Sequence, residues 1–201
     1  MLIVLTGPSG CGKSTLANLM LGKWENITFS VSYTTRKKRD SETDGKDYRF
    51  ISKDTFEKMI QDGRFAEWAE VHGNYYGTPE NVLDREAEDR DFLLDIDVQG
   101  AAQIREKTAD AVFVFILPPL FPELRRRLEK RGQDSESMIQ KRLDVAKKEI
   151  KRYREFDYLV VNDDLARAEE ELKAIILSRR CRRDMREKEI MPILRSFDEG
   201  E

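Results

Sequence analysis

The sequence predicts an α/β protein, a parallel sheet flanked by helices, and three observations carry that prediction. Apolar runs at residues 2–5, 92–96, 111–117 and 158–161 are continuous instead of alternating, the pattern of strands covered on both faces. Segments of helical length separate them, as parallel strands require for their crossovers. A glycine-rich loop follows the first run and opens directly into a helical stretch. The 201 residues, 39% apolar and 37% charged, suit one domain carrying small insertions.

The first run has no basic flank and only four apolar residues after Met1, too few for a signal peptide or a membrane span, so it reads as a buried strand. The loop behind it, Gly7-Pro8-Ser9-Gly10-Cys11-Gly12-Lys13-Ser14, matches G-x-x-x-x-G-K-[ST] and leads through Thr15 into a helix. Glycines let such a loop take positive φ and turn its N–H groups onto phosphates. Lys13 then neutralises the β- and γ-phosphate charge, and the Ser14 hydroxyl takes a place on Mg²⁺. A simple glycine turn is the alternative. Cys11 sits where N–H groups and a helix N-terminus would favour a thiolate, protected from alkylation by bound nucleotide; the alternative is a small residue filling a non-glycine position.

Residues 27–31 form a weaker fifth strand candidate. The run at 92–96 ends in carboxylates, Asp95 and Asp97, where a phosphate-loop protein keeps a metal-orienting aspartate; turn chemistry at a strand end would also place Asp there. Met138, Ile139, Leu143, Ala146 and Ile150 recur at helical spacing, as do Leu165, Ala168, Leu172, Ile175 and Ile176. Between these elements, residues 32–80 break the rhythm with polar turns and aromatics and read as an insertion with its own small fold. Residues 121–150 are a second, charged excursion.

Lys and Arg number 36 against 39 Asp and Glu, a net charge of −3. That excludes a generalised grip on nucleic acid and leaves anion recognition to local clusters at residues 36–39, 125–127 and 179–183. The last of these reads as a complement to a helix C-terminal dipole and as solvated surface. Cys11 and Cys181 are the two cysteines and His72 the one histidine, so neither a disulfide framework nor a His/Cys metal cage is available, and a reducing cytoplasm suits the chain. His72 reads as a surface or packing residue. No membrane partner is expected, and no exposed apolar stripe declares an interface, so the oligomeric state stays open.

The segment Ser32-Tyr33-Thr34-Thr35-Arg36, followed by Arg39, Glu42, Gly45, Asp47 and Tyr48, resembles the acceptor-site signature of guanylate kinases, which phosphorylate GMP with ATP. The resemblance continues in order through Glu67-Trp68-Ala69, residues 73–78, residues 95–100 (D-I-D-V-Q-G), Lys141-Arg142-Leu143 and residues 161–164. It covers the chain from Gly7 to about Ile176. It implies a P-loop kinase core of residues 1–31, 81–120 and 151–201, a GMP-binding insertion over 32–80 and a mobile lid over 121–150. ATP and GMP are the substrates it implies, with Mg²⁺ carried as Mg-ATP.

The same resemblance places Arg36, Arg39, Tyr48 and Tyr76 on the GMP phosphate, Ser32, Glu67, Thr78 and Asp97 on guanine, and Glu42 in the same site. Two guanidinium forks and two phenols do suit a dianion. Guanine presents N1–H and N2–H side by side to one carboxylate, whereas adenine presents an acceptor at N1, and sites built on such bonds reject the wrong ligand by roughly 10⁴ to 10⁵. In the lid, Arg131 and Arg142 resemble the arginines on the γ-phosphate and transition state, and these two with Lys13 and Arg36 form the catalytic set. Arg127 and Asn162 fall on the adenine side. At about 100° per residue Arg142 lies within the arc of Met138, Leu143, Ala146 and Ile150, which turns it inward. Lys38, Ser41 and Thr78 depart from the family's commoner residues. Two other readings stand beside this one: a kinase for another nucleoside monophosphate, and an inert guanylate-kinase-like domain that binds proteins.

Overall fold

The computed structural model describes residues 1–24, 26–71, 73–84, 91–130 and 135–199. Its strands are β1 (Leu2–Thr6), β2 (Ile27–Phe29), β3 (Tyr33–Thr34), β4 (Arg49–Phe50), β5 (Phe65–Val71), β6 (Asn74–Pro79), β7 (Asp91–Asp95), β8 (Ala111–Leu117) and β9 (Tyr158–Val161). Its helices are α1 (Lys13–Lys23), α2 (Lys53–Gln61), α3 (Val98–Lys107), α4 (Phe121–Lys130), α5 (Glu136–Glu149), α6 (Leu165–Arg180) and α7 (Glu187–Asp198).

Five strands make a parallel sheet in the order β2-β7-β1-β8-β9. The continuous apolar run of β1 has a direct cause, since alternate side chains enter two different cores. Ile3 and Leu5 pack with Leu16, Met20, Ala168, Leu172 and Ile176 on the α1 and α6 face, while Leu2 and Val4 pack with Leu94, Ile104 and Phe113 on the α3 face. The carboxyl ends of β1 and β7 therefore open at one edge, where an open α/β sheet binds its ligands. No helix among the described residues is long and apolar enough to cross a membrane.

A second sheet, β4-β3-β6-β5, is made within residues 33–79. Helix α2 covers it through Phe56, which stacks on Phe65 at 4.5 Å and on Tyr75 at 5.3 Å between ring centroids. Ser52 caps α2 by accepting from the Thr55 N–H. Helices α4 and α5 pack on each other through Leu124, Leu128, Ile139, Leu143 and Ala146, a small core of their own.

Several expectations are corrected. Strand β2 stops at Phe29 instead of reaching Val31. Ile150 and Leu165 stand at helix ends and are exposed, so the apolar faces of α5 and α6 are shorter than the periodicity suggests. Within residues 179–183, Arg179 is not solvated: it is buried and pairs with Asp110 and Asp184. Arg180 pairs with Asp91, 2.5 Å away, which also holds the Met1 amino group at 2.7 Å. The chain also has an exposed apolar stripe after all. Ile190, Met191, Ile193, Leu194 and Phe197 of α7 are exposed, Phe197 by 74%, and α7 buries none of its residues.

Candidate active site

The loop between β1 and α1 turns on Gly12. Its φ of 101° is left-handed, and a Cβ there would lie 2.1 Å from Asn162 Nδ2, so glycine is required twice over. Lys13 Nζ donates to the Gly7 carbonyl at 2.8 Å and stands 3.9 Å from Asp95 Oδ1. Ser14 Oγ donates to Asp95 Oδ2 at 2.7 Å. Residues 81 positions apart thus meet where β7 ends beside the loop. Among the described residues no cluster of three or more His, Cys, Asp or Glu could cage a metal. The Ser14 and Asp95 oxygens suit a small hard cation that takes its other positions from water and phosphate.

Cys11 departs from the thiolate expectation. Its side chain is fully buried among Leu5, Leu16 and Ile116. Burial pushes the thiol pKa up, with Lys13 offsetting only part of the effect. The backbone of Cys11 does the local bonding: its carbonyl accepts from Asn162 Nδ2 at 2.8 Å and from Arg127 Nη1 at 3.2 Å. Arg127 also donates from Nη2 to the Asn162 carbonyl at 2.8 Å and from Nε to Glu123 at 2.7 Å. Gly10, Gly12, Thr15, Arg127, Lys130 and Asn162 line an open cleft of about 350 Å³ beside these bonds. Arg126 lies on the outer side, exposed and paired with Glu123.

Arg142 is half-buried, and its Nη1 lies 3.5 Å from Ser9 Oγ, so α5 does aim it at the loop. Arg131 and His72 lie outside the described residues. Glu149, seven residues after Arg142, is a site neighbour that the sequence reading missed. Burial raises its pKa, Lys13 works against that rise and Asp97 adds to it. The i, i+7 spacing from an inward arginine, which puts both on one helix face, was the available signal.

On the other side of the site, Arg36 forks onto Glu42 with Nη1 at 3.0 Å and Nη2 at 2.7 Å. The Arg39 N–H donates to the same carboxylate at 2.9 Å, and the Arg39 guanidinium stands 3.7 Å away. Burial opposes charge on Glu42, but these donors outweigh it and hold its carboxyl below the usual range. The Arg36 guanidinium also lies over Tyr48 at 5.5 Å and Phe50 at 5.7 Å. Tyr48 meets Tyr76 edge-on at 5.9 Å. Burial, then the field of Asp95, raises the Tyr48 pKa, so its phenol stays a neutral donor. Tyr75 faces the other way and packs on Phe56 and Trp68.

Glu67 is the buried acid of this side, 4% exposed. The β5–β6 register shifts between Phe65 and Glu67, and such a bulge re-aims a side chain: Phe65, Ala66 and Glu67 are buried in succession. Opposite it, Thr78 donates to Glu67 Oε1 from its N–H at 3.1 Å and its hydroxyl at 2.5 Å. Burial pushes the Glu67 pKa up to about 7 against the pull of Thr78, and Asp97 adds to the rise. Asp97 caps α3, its Oδ1 accepting from the Gln99 N–H at 3.1 Å and the Gly100 N–H at 2.8 Å. Ser32 is buried at the entry to β3, and its carbonyl accepts from the Arg49 N–H at 2.9 Å.

The family model described as Guanylate kinase matches residues 1–179. The guanylate kinase of Geobacter metallireducens is 48% identical over 183 residues, 90% of each chain. That of Agrobacterium fabrum is 49% identical over 188 residues, 92% of this chain and 86% of its own. The crystal structure of guanylate kinase from Anaplasma phagocytophilum superposes with a TM-score of 0.74 at 34% identity, covering 91% of this chain and 87% of the other.

Proposed function

The chain belongs to the guanylate kinase family and is an ATP:GMP phosphotransferase, and from that premise we propose how its own residues divide the work. ATP lies along the loop from Gly7 to Thr15, through Pro8, Ser9, Gly10, Cys11 and Gly12, and its adenine occupies the cleft beside Arg127 and Asn162. Lys13 stands on the β- and γ-phosphates. Mg²⁺, arriving with ATP, would be held through Ser14 and Asp95 and would neutralise charge on those phosphates. GMP, and dGMP by the same contacts, binds across the second sheet: its phosphate between Arg36, Arg39, Tyr48 and Tyr76, with Glu42 positioning the two arginines, and its base against Ser32, Glu67, Thr78 and Asp97.

The observation that carries this reading is Glu67, a buried carboxylate held by Thr78 on one oxygen. Nothing in the packing of β5 requires an acid there, and burying one is costly unless a ligand completes its bonds. Guanine N1–H and N2–H do so. The γ-phosphoryl passes through a loose transition state with charge spread over its oxygens, so alignment and positive charge are what the chain supplies. Lys13, Arg36 and Arg142 supply it, and the family resemblance assigns Arg131 the same part. Closure of α4 and α5 over the cleft would keep water from competing with GMP for the phosphoryl group. The two free cysteines, one deeply buried, support a cytoplasmic setting.

A coupled assay of ADP release with GMP, dGMP, AMP, UMP and dTMP tests the division directly. GMP and dGMP are expected to be turned over, with AMP lower in kcat/KM by roughly 10⁴. Brisk use of AMP or a pyrimidine nucleotide would remove Glu67 from base recognition.

A further inference from the structure

Gly100 has no backbone reason to be glycine. It sits in the first turn of α3 with ordinary helical geometry, outside the positive-φ glycines of the chain, and glycine in a helix costs roughly 0.5 to 1 kcal/mol relative to alanine. The reason lies across the helix. A Cβ at Gly100 would stand 2.2 Å from Glu67 Oε2 and 2.8 Å from its Cδ, well inside the 3.5 to 4.0 Å of ordinary non-bonded contact, and at contact distance, 3.4 Å, from its Cγ. The carboxylate of Glu67 occupies the volume that any other residue's side chain would fill.

Asp97, Gly100 and Gln103 follow one another at three-residue spacing and share one face of α3. Each meets the Glu67 segment differently. Asp97 closes the helix N-terminus and sets its negative field on Glu67. Gly100 leaves the Oε2 side open. Gln103 clamps the backbone of the next residue, Oε1 accepting from the Trp68 N–H at 3.2 Å and Nε2 donating to the Trp68 carbonyl at 2.7 Å. With Thr78 fixing Oε1 from the opposite strand, the carboxylate is held between β6 and this face of α3.

We propose that this face of α3 is the mould that sets acceptor-base selectivity, with Gly100 and Gln103 as positioning residues for Glu67. The proposal rests on the reading of Glu67 as the group that accepts from guanine. A Cβ at residue 100 displaces the Glu67 carboxylate along its own length, and a displacement of about 1 Å at a recognition contact can cost on the order of 10²-fold.

IMP is the discriminating probe, because it keeps N1–H and lacks the 2-amino group. The ratio of kcat/KM for GMP over IMP therefore reads the second guanine bond alone. Gly100→Ala is expected to lower that ratio by roughly ten- to a hundredfold, through the KM for GMP, with the KM for ATP unmoved. Gln103→Leu, which keeps the volume and removes both clamp bonds, is expected to lower it less. Damage to the fold at large would lower both rates and leave the ratio alone.

Glu67→Asp supplies the size complement. It withdraws the carboxylate by one methylene, so it should cost less in the Gly100→Ala background than in the native one, a coupling that separate effects cannot give. If Gly100→Ala alone does not fold, recovery of folded protein in the double variant supports the mould, and failure of both overturns it. Glu67→Gln separates the two levels of the claim. A ratio unchanged in Glu67→Gln defeats the reading of Glu67, and the mould falls with it. A ratio lost in Glu67→Gln but kept in Gly100→Ala, with additive costs in the double variant, overturns the mould and leaves Glu67 in place.

Discussion

At the scale of one residue, Glu67 carries a pH dependence with a definite sign. Its folded pKa is raised from the usual 4.5 to about 7, chiefly by burial, so the unliganded fold favours the protonated acid. Its contribution to stability is complete below pH 4.5 and is lost as pH rises through about 7, a difference on the order of 3 kcal/mol. Thermal melts of the unliganded protein from pH 5 to 8 should fall more steeply than those of Glu67→Gln; parallel curves would show that Glu67 is not the titrating group. GMP acts in the opposite direction. Its two N–H donors need the carboxylate, so GMP affinity should rise with pH through about 7 in the native chain and stay flat in Glu67→Gln. Glu67 was legible in the sequence through the family resemblance alone. Its burial was not, because it depends on a bulge in β5 and on a glycine 33 positions away. The thiolate reading of Cys11 failed for a related reason, while that of a small residue filling a loop position agrees with its burial: the loop motif fixes where the backbone N–H groups point and says nothing about which loop side chains turn into the core.

At the scale of elements, helices α4 and α5 bring their arginines to the loop by packing on each other and on its glycines. A Cβ at Gly10 would lie 2.9 Å from Leu128, so the small core of this pair seats directly on the phosphate loop. Arg142 rides on that seat and points at Ser9. Removing its charge from the transferring phosphoryl group should cost roughly 10³ to 10⁵ in kcat. Arg142→Ala is therefore expected to lower kcat by that factor with GMP affinity, measured by titration, nearly kept; turnover at the native rate would remove Arg142 from the mechanism. The inward turn of Arg142 was readable because helical periodicity is a property of the local sequence. The second sheet was not readable strand by strand. Tyr33–Thr34 and Arg49–Phe50 are two residues each, too short to show any period, and only the pairing of β3 with β6 and of β4 with β3 defines them.

At the scale of the molecule, the long strands were legible because burial on both faces writes a continuous apolar run, as in Ala111–Leu117. The ends of the chain were not. Arg179 finds Asp110 across 69 positions, a pairing that no local pattern announces, and α7 has the periodicity of a core helix yet covers nothing. The family match stops at residue 179, and α7 begins at Glu187. Since α7 buries no side chain, deleting residues 187–201 should change stability by no more than about 0.5 kcal/mol and leave kcat and both KM values in place. A large loss of activity or stability would show that α7 is bound to the rest of the chain in solution. All the rest depends on one arrangement, an acceptor cleft selected by a buried carboxylate and opening onto the phosphate loop closely enough for direct transfer. Labelling the γ-phosphoryl of ATP and following the label with GMP present tests that arrangement most directly. The label is expected in GDP, one for each ADP released, with little as free phosphate and slow release when GMP is left out. Label released chiefly as inorganic phosphate, at a rate indifferent to GMP, would contradict it.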